Sequence, residues 1–155
     1  MKTGYGTNTE GAVALAVATA KTVIGVKGNA AFGVDLLGYR VGFDGVTASA
    51  VPVVVEICYC TWATNGPGTN STSTTIDTQY GRVVTSGFTA AKGWTVEPTV
   101  ITPLDEWLLT PNGGLVIKDL PRDRTPDSAV AEGFCLRLTA PAIVNVRASM
   151  FFERG

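Results

Sequence analysis

The side chains with the most chemical reach in this chain are three cysteines, three tryptophans and a scatter of carboxylates, and no histidine accompanies them. Without imidazole there is no Ser–His or Cys–His dyad and no histidine ligand for a metal. Cys58 and Cys60 stand two apart, with Cys135 far along the chain. An odd count at that spacing matches no zinc pattern. On one strand the first two share a face and are poorly placed to bond each other, while Cys135 reaches one of them only if their strands are neighbours. Free thiols, in a protein made in a reducing compartment, are the expectation.

The carboxylates do not converge either. Asp119, Asp123 and Asp127 recur at four-residue spacing, but Pro121 and Pro126 interrupt any helix that would align them. The alternating acidic ligands of a calcium loop are also missing. Asp105 and Glu106 are adjacent, so on an extended chain they diverge, which suits a solvated turn better than an acid–base pair. Trp62, Trp94 and Trp107 have rings that could stack on sugars, although Trp107 lies in "EWLL", where Leu108 and Leu109 favour burial. The start "GYGTNTEG" neither follows a strand nor opens a helix, so no phosphate cradle is expected there. Asn70-Ser71-Thr72 spells a glycosylation acceptor with no secretion signal to support it. No catalytic, cofactor-binding or metal-binding set emerges, and the chain is not expected to be an enzyme.

The elements that must carry these residues read as strands. In "AIVNVRASMFFERG", the closing stretch, Val144, Val146, Ala148, Met150 and Phe152 fall on one side by parity, with Asn145, Arg147 and Ser149 on the other. A helix would mix Arg147 with Phe151 and Ile143. Residues 36–44 place Leu37, Tyr39, Val41 and Phe43 together. After an Asp44-Gly45 turn, Val51, Val53, Val55, Ile57 and Tyr59 share a face opposite Val54, Glu56, Cys58 and Cys60. Phe134, Leu136 and Leu138 oppose Cys135, Arg137 and Thr139. Residues 76–84, 96–102 and 115–120 are further strands, the last fed by a turn at Pro111-Asn112-Gly113-Gly114. "NGPGTNSTSTT" and "PRDRTPDS" read as loops. These patterns predict an all-β, jelly-roll-like sandwich of about eight antiparallel strands. Residues 11–155 form its single domain, and residues 1–10 a flexible, Gly/Thr-rich N-terminal arm. The apolar run at residues 12–20 resembles a signal-peptide core, but Glu10 stands just before it, separated only by Gly11, so an early strand or extended arm is expected instead.

Size and charge narrow the partners. The chain has 155 residues, 45% apolar and 16% charged, against a usual charged share of about 25%. Low charge suits a surface covered partly by protein rather than by water. Twelve basic and thirteen acidic residues give a formal net charge of −1, which argues against nucleic acid and against a polybasic membrane anchor. No run approaches the ~20 apolar residues that span a bilayer. Self-association would cover the second strand faces, where Val54, Cys58, Cys60 and Cys135 are costly to expose. The charged members of those faces, Glu56, Arg137 and Arg147, are then expected at an interface, pairing within or across subunits.

The combination of "FDGVTASAVPVVVEI" in the first half with "TPDSAVAEGFCLRLTAPAIVNVRASMFFERG" at the end resembles the small head decoration, or cement, proteins of tailed bacteriophages, in pattern over most of the chain. The resemblance implies a β-sandwich or jelly-roll homotrimer on the outside of the capsid. Such a protein is made in the host cytoplasm and binds the major capsid protein so as to clamp neighbouring capsomers. It implies no cofactor and transfers no active-site residue. A carbohydrate-binding jelly roll using the tryptophans and a tail or fibre component are the alternatives.

Overall fold

A computed structural model of the chain describes residues 3–44, 51–113 and 115–155. Among them are twelve strands and no helix, so no helix is long and apolar enough to cross a membrane. In chain order the strands are β1 (Gly4–Asn8), β2 (Val13–Leu15), β3 (Ala20–Lys27), β4 (Val34–Asp44), β5 (Val53–Cys60) and β6 (Thr72–Ser73). They continue with β7 (Ile76–Tyr80), β8 (Thr89–Lys92), β9 (Ile101–Leu109), β10 (Leu115–Asp119), β11 (Gly133–Thr139) and β12 (Val144–Arg154). Two antiparallel sheets of six strands result. The first runs β10-β4-β12-β1-β7, with β2 paired to the earlier half of β12; the second runs β6-β8-β3-β11-β5-β9.

The closing strand behaves as its parity predicts. Val144, Val146, Ala148, Met150 and Phe152 are all buried, between β4 on one side and β1 and β2 on the other. From the second sheet, Phe134, Leu136 and Leu138 of β11 and Val53, Val55 and Ile57 of β5 meet them in one core. Each such side chain contributes roughly 1.5–3 kcal/mol on burial, so the facing rows are what hold the sheets together. In β4 the expected face breaks at Leu37. The β12 register slips between Phe151 and Phe152, which pair with Gly38 and Leu36, so Leu37 bulges out of the ladder. Leu36 and Tyr39 therefore both reach the core, and Leu37 is only half-buried.

Several expectations are corrected. Residues 4–8 are not an arm but strand β1, hydrogen-bonded between β12 and β7, with Tyr5 and Thr7 each 2% exposed. The glycines that suggested flexibility are packing positions: a Cβ on Gly4 would lie 2.1 Å from the Tyr80 ring. Residues 12–20, by contrast, carry β2 and the first residue of β3, in keeping with the early strand expected there. The strand expected at 76–84 stops at Tyr80. The one expected at 96–102 begins at Ile101 and continues through Asp105 and Glu106, which therefore lie on a strand and not in a turn. The Asp44-Gly45 turn runs out of the described residues. Between β5 and β9, which are neighbours, the chain makes a long excursion that adds β7 to the edge of the first sheet and β8 and β6 to the edge of the second.

Candidate interaction surface

The outer face of the second sheet carries the cysteines. Cys58 and Cys135 are direct cross-strand partners on β5 and β11, and with Cys60 they are free and fully buried. Their cover is the chain's own excursion. Trp62 and Trp94 stack with ring centroids 5.4 Å apart and pack on the thiols, Ala91 and Ile101. The indole of Trp62 donates to the Val26 carbonyl (3.2 Å) and that of Trp94 to the Asn65 carbonyl (2.7 Å). Gly25 makes the room, since a Cβ there would lie 2.6 Å from the Trp62 ring. Trp62 itself has φ +55°, a left-handed conformation that costs about 1–2 kcal/mol and is held here by packing. The thiol of Cys135 is pushed well above the ordinary range by hydrogen bonding to Cys58, then to Cys60, and by burial. All three thiols are buried, and at this half of the face a second subunit is not needed to cover them. Among the described residues no group of His, Cys, Asp and Glu is arranged to hold a metal.

The three expected interface residues do not form one site. Arg137 Nε donates to Glu56 Oε2 at 2.7 Å across the β11–β5 ladder, on the outer face of the second sheet. That carboxylate raises the already high pKa of Arg137. Arg147 lies on the first sheet and pairs with Asp44 at 3.2 Å, not with Glu56. Both pairs are within the chain. Asp119 ends β10, Asp123 is exposed in the following loop, and Asp127 bridges to Asp35. Sequence reasoning passed over Glu153, 2% exposed at the end of β12, where Tyr80 donates to it and Arg122 pairs with it at 3.2 Å. It also passed over Glu97, which accepts from the Thr22 amide and hydroxyl.

One side of the sandwich is left without cover. There β9 ends the second sheet and β10 ends the first, each with an outer edge that pairs with no described strand. Leu104 (49% exposed), Leu108 (66%), Leu115 (62%) and Ile117 (55%) stand on these two strands. Val54, Glu106, Trp107 and Leu108 line a cleft of about 340 Å³. A second cleft, of about 240 Å³, opens between the two edges beside Leu104, Asp105 and Lys118. Cross-strand, Glu106 faces Glu56, whose charge is already matched by Arg137. Glu106 has no cation among the described residues, and like charges directly opposite are unfavourable. An exposed apolar edge beside unmatched acid is a poor surface for water and a good one for protein. The visible signal in the sequence was the alternation Leu104, Glu106, Leu108, which the Asp105-Glu106 pair disguised as a turn. Comparison with family models, curated proteins and solved structures finds no match to this chain.

Proposed function

We propose that this chain is a structural virion protein without catalytic activity, a decoration or cement protein that binds the major capsid protein on the outside of a phage head and works as a homotrimer. The observation that carries this reading is the open β9/β10 side, with exposed leucines and isoleucine on two unpaired strands. Natural sandwiches blunt such edges unless another chain covers them. The resemblance of the sequence to phage head decoration proteins supplies the kind of partner.

Strand order supports the finer reading of the sandwich as a jelly roll. With β1 and β2 taken as one strand and the β6–β8 excursion set aside, the first sheet runs first-eighth-third-sixth and the second runs second-seventh-fourth-fifth. Two interleaved Greek keys would give this order, which favours the jelly-roll reading. The sugar-binding alternative loses its best candidates: Trp62 and Trp94 cover each other's faces and are 5% and 2% exposed.

The test is to mix the purified protein with undecorated heads and pellet them, alongside mass spectrometry of tail-less heads from the source lysate. Saturable binding to heads is the expected result. Absence from tail-less heads, with recovery in tails, would reassign it to the tail.

A further inference from the structure

Opposite the β9/β10 side, residues 81–86 cross between β7 and β8 as a run outside any strand. Val83 is 84% exposed, the most exposed large apolar side chain among the described residues, and Val84 is 42% exposed. Arg82 is exposed and has no ion pair with a described residue. The backbone of residues 82–84 makes no hydrogen bond to any described residue. The run is nevertheless anchored just beyond: Arg154 donates to the carbonyls of Thr85 (2.8 Å) and Ser86 (3.1 Å). It is a presented segment with free backbone groups, one base and two valines.

The β9 edge is its complement. Glu106 and Leu108 share the outer face of the second sheet, cross-strand from Glu56 and Val54, while Trp107 between them points inward and stacks on Tyr39. Residues two apart share a face. Laid parallel to β9, Arg82 comes opposite Glu106, Val84 opposite Leu108, and Val83 over Trp107. Laid antiparallel about the same centre, Arg82 would face Leu108 and Val84 would face Glu106. About this centre, charge and apolar pattern match in the parallel direction only; the antiparallel register that keeps Arg82 on Glu106 would set Val84 on Leu104, at the bulge where β9 leaves the β5 ladder.

We propose that residues 82–84 of one copy add as a parallel strand to the β9 edge of a second copy, Arg82 on Glu106 and Val84 on Leu108. Strand addition satisfies the free backbone groups of both segments. Donor and acceptor lie at opposite edges of the sandwich, so the contact is head-to-tail, and the homotrimer requires that it close into a ring and not run on as a filament. The inference rests on the self-association part of the reading above and not on attachment to a shell.

Sedimentation equilibrium of the full chain tests it, with Arg82→Glu, Glu106→Arg and the double swap compared with the parent. Each single change should weaken association by about tenfold or more, and the swap should recover most of the loss. At concentrations low enough to dissociate the parent, all four should melt alike, because both sites are exposed. A second variant, carrying Val84→Cys and Leu108→Cys in one chain, should oxidise in air to a covalent ring larger than a dimer, with hydrogen peroxide as the reduced co-product. The three native thiols, being buried, should leave the parent uncrosslinked. If the parent is a trimer that neither single change weakens, this contact is wrong and the homotrimer stands; if only dimers crosslink, this contact is wrong and no ring is built through it. A parent that stays monomeric at high micromolar concentration overturns both.

Discussion

Val146 and Arg147 are adjacent, yet they belong to different environments. Val146 is fully buried, cross-strand from Phe43 and Val13, whereas Arg147 is 61% exposed and paired with an Asp44 that is itself 36% exposed. Val146→Asp would bury a carboxylate with no partner, at several kcal/mol against a total stability of about 5–15. Arg147→Ala should cost at most about 1 kcal/mol, because an exposed pair contributes little. Thermal melting by circular dichroism should show the first variant unfolded or nearly so and the second close to the parent. Comparable losses would mean that the face assignment of β12 is inverted. Tyr39 gives the pH counterpart. Burial, then the Asp105 carboxylate, pushes its phenol from 10 to about 12. The unfolded chain therefore releases this proton first, and stability should fall as pH rises from about 10 towards 12. Tyr39→Phe should flatten that fall without loss near neutral pH, since no hydrogen bond of the Tyr39 hydroxyl is broken. An unchanged alkaline profile would show that the residue is not the source.

At the scale of elements, β1 is the piece whose role changed most between sequence and structure. It fills the slot between β12 and β7, and Tyr5 packs edge-on to Phe88 and stacks on Phe152. Removing residues 1–8 strips hydrogen-bond partners from both neighbours and uncovers those rings. A loss of several kcal/mol is expected, and at about 2–4 °C per kcal/mol for a chain of this size the melting temperature should drop by roughly 10 °C or more. A deletion that melts like the parent would restore the flexible arm. Legibility followed packing. In β5, β11 and β12 one face meets the opposite sheet, so apolar residues recur every second position and the strands could be read directly. In β1 the neighbours Tyr80 and Gln79 occupy the space above Gly4 and Gly6, so the apolar signal is carried by other strands. In β9 most side chains face solvent at an edge, and alternation gives way to Pro103, Asp105 and Glu106. The Leu37 bulge and the tryptophan cover over the cysteines depend on register and on chain crossing, which local pattern does not contain.

At the scale of the whole molecule, the first and last strands are neighbours, and one core draws on both sheets. Neither sheet has its own interior, so β12 must be in place before either half is stable. The excursion between β5 and β9 is bound in as well: Phe88 joins the main core, and Trp62 and Trp94 close the cysteine cluster. Unfolding should therefore be a single cooperative transition. Three probes see different parts of it: far-ultraviolet circular dichroism the ladders, tryptophan fluorescence chiefly the stacked pair, and thiol labelling the space beneath that pair. In a urea series all three should share one midpoint, with Cys58, Cys60 and Cys135 unreactive below it. If fluorescence and labelling moved at lower urea while the ladders persisted, the excursion would be a separately unfolding flap. The outer face of the second sheet would then be open to a partner after all, and the β9 edge would no longer be the principal uncovered surface of the chain.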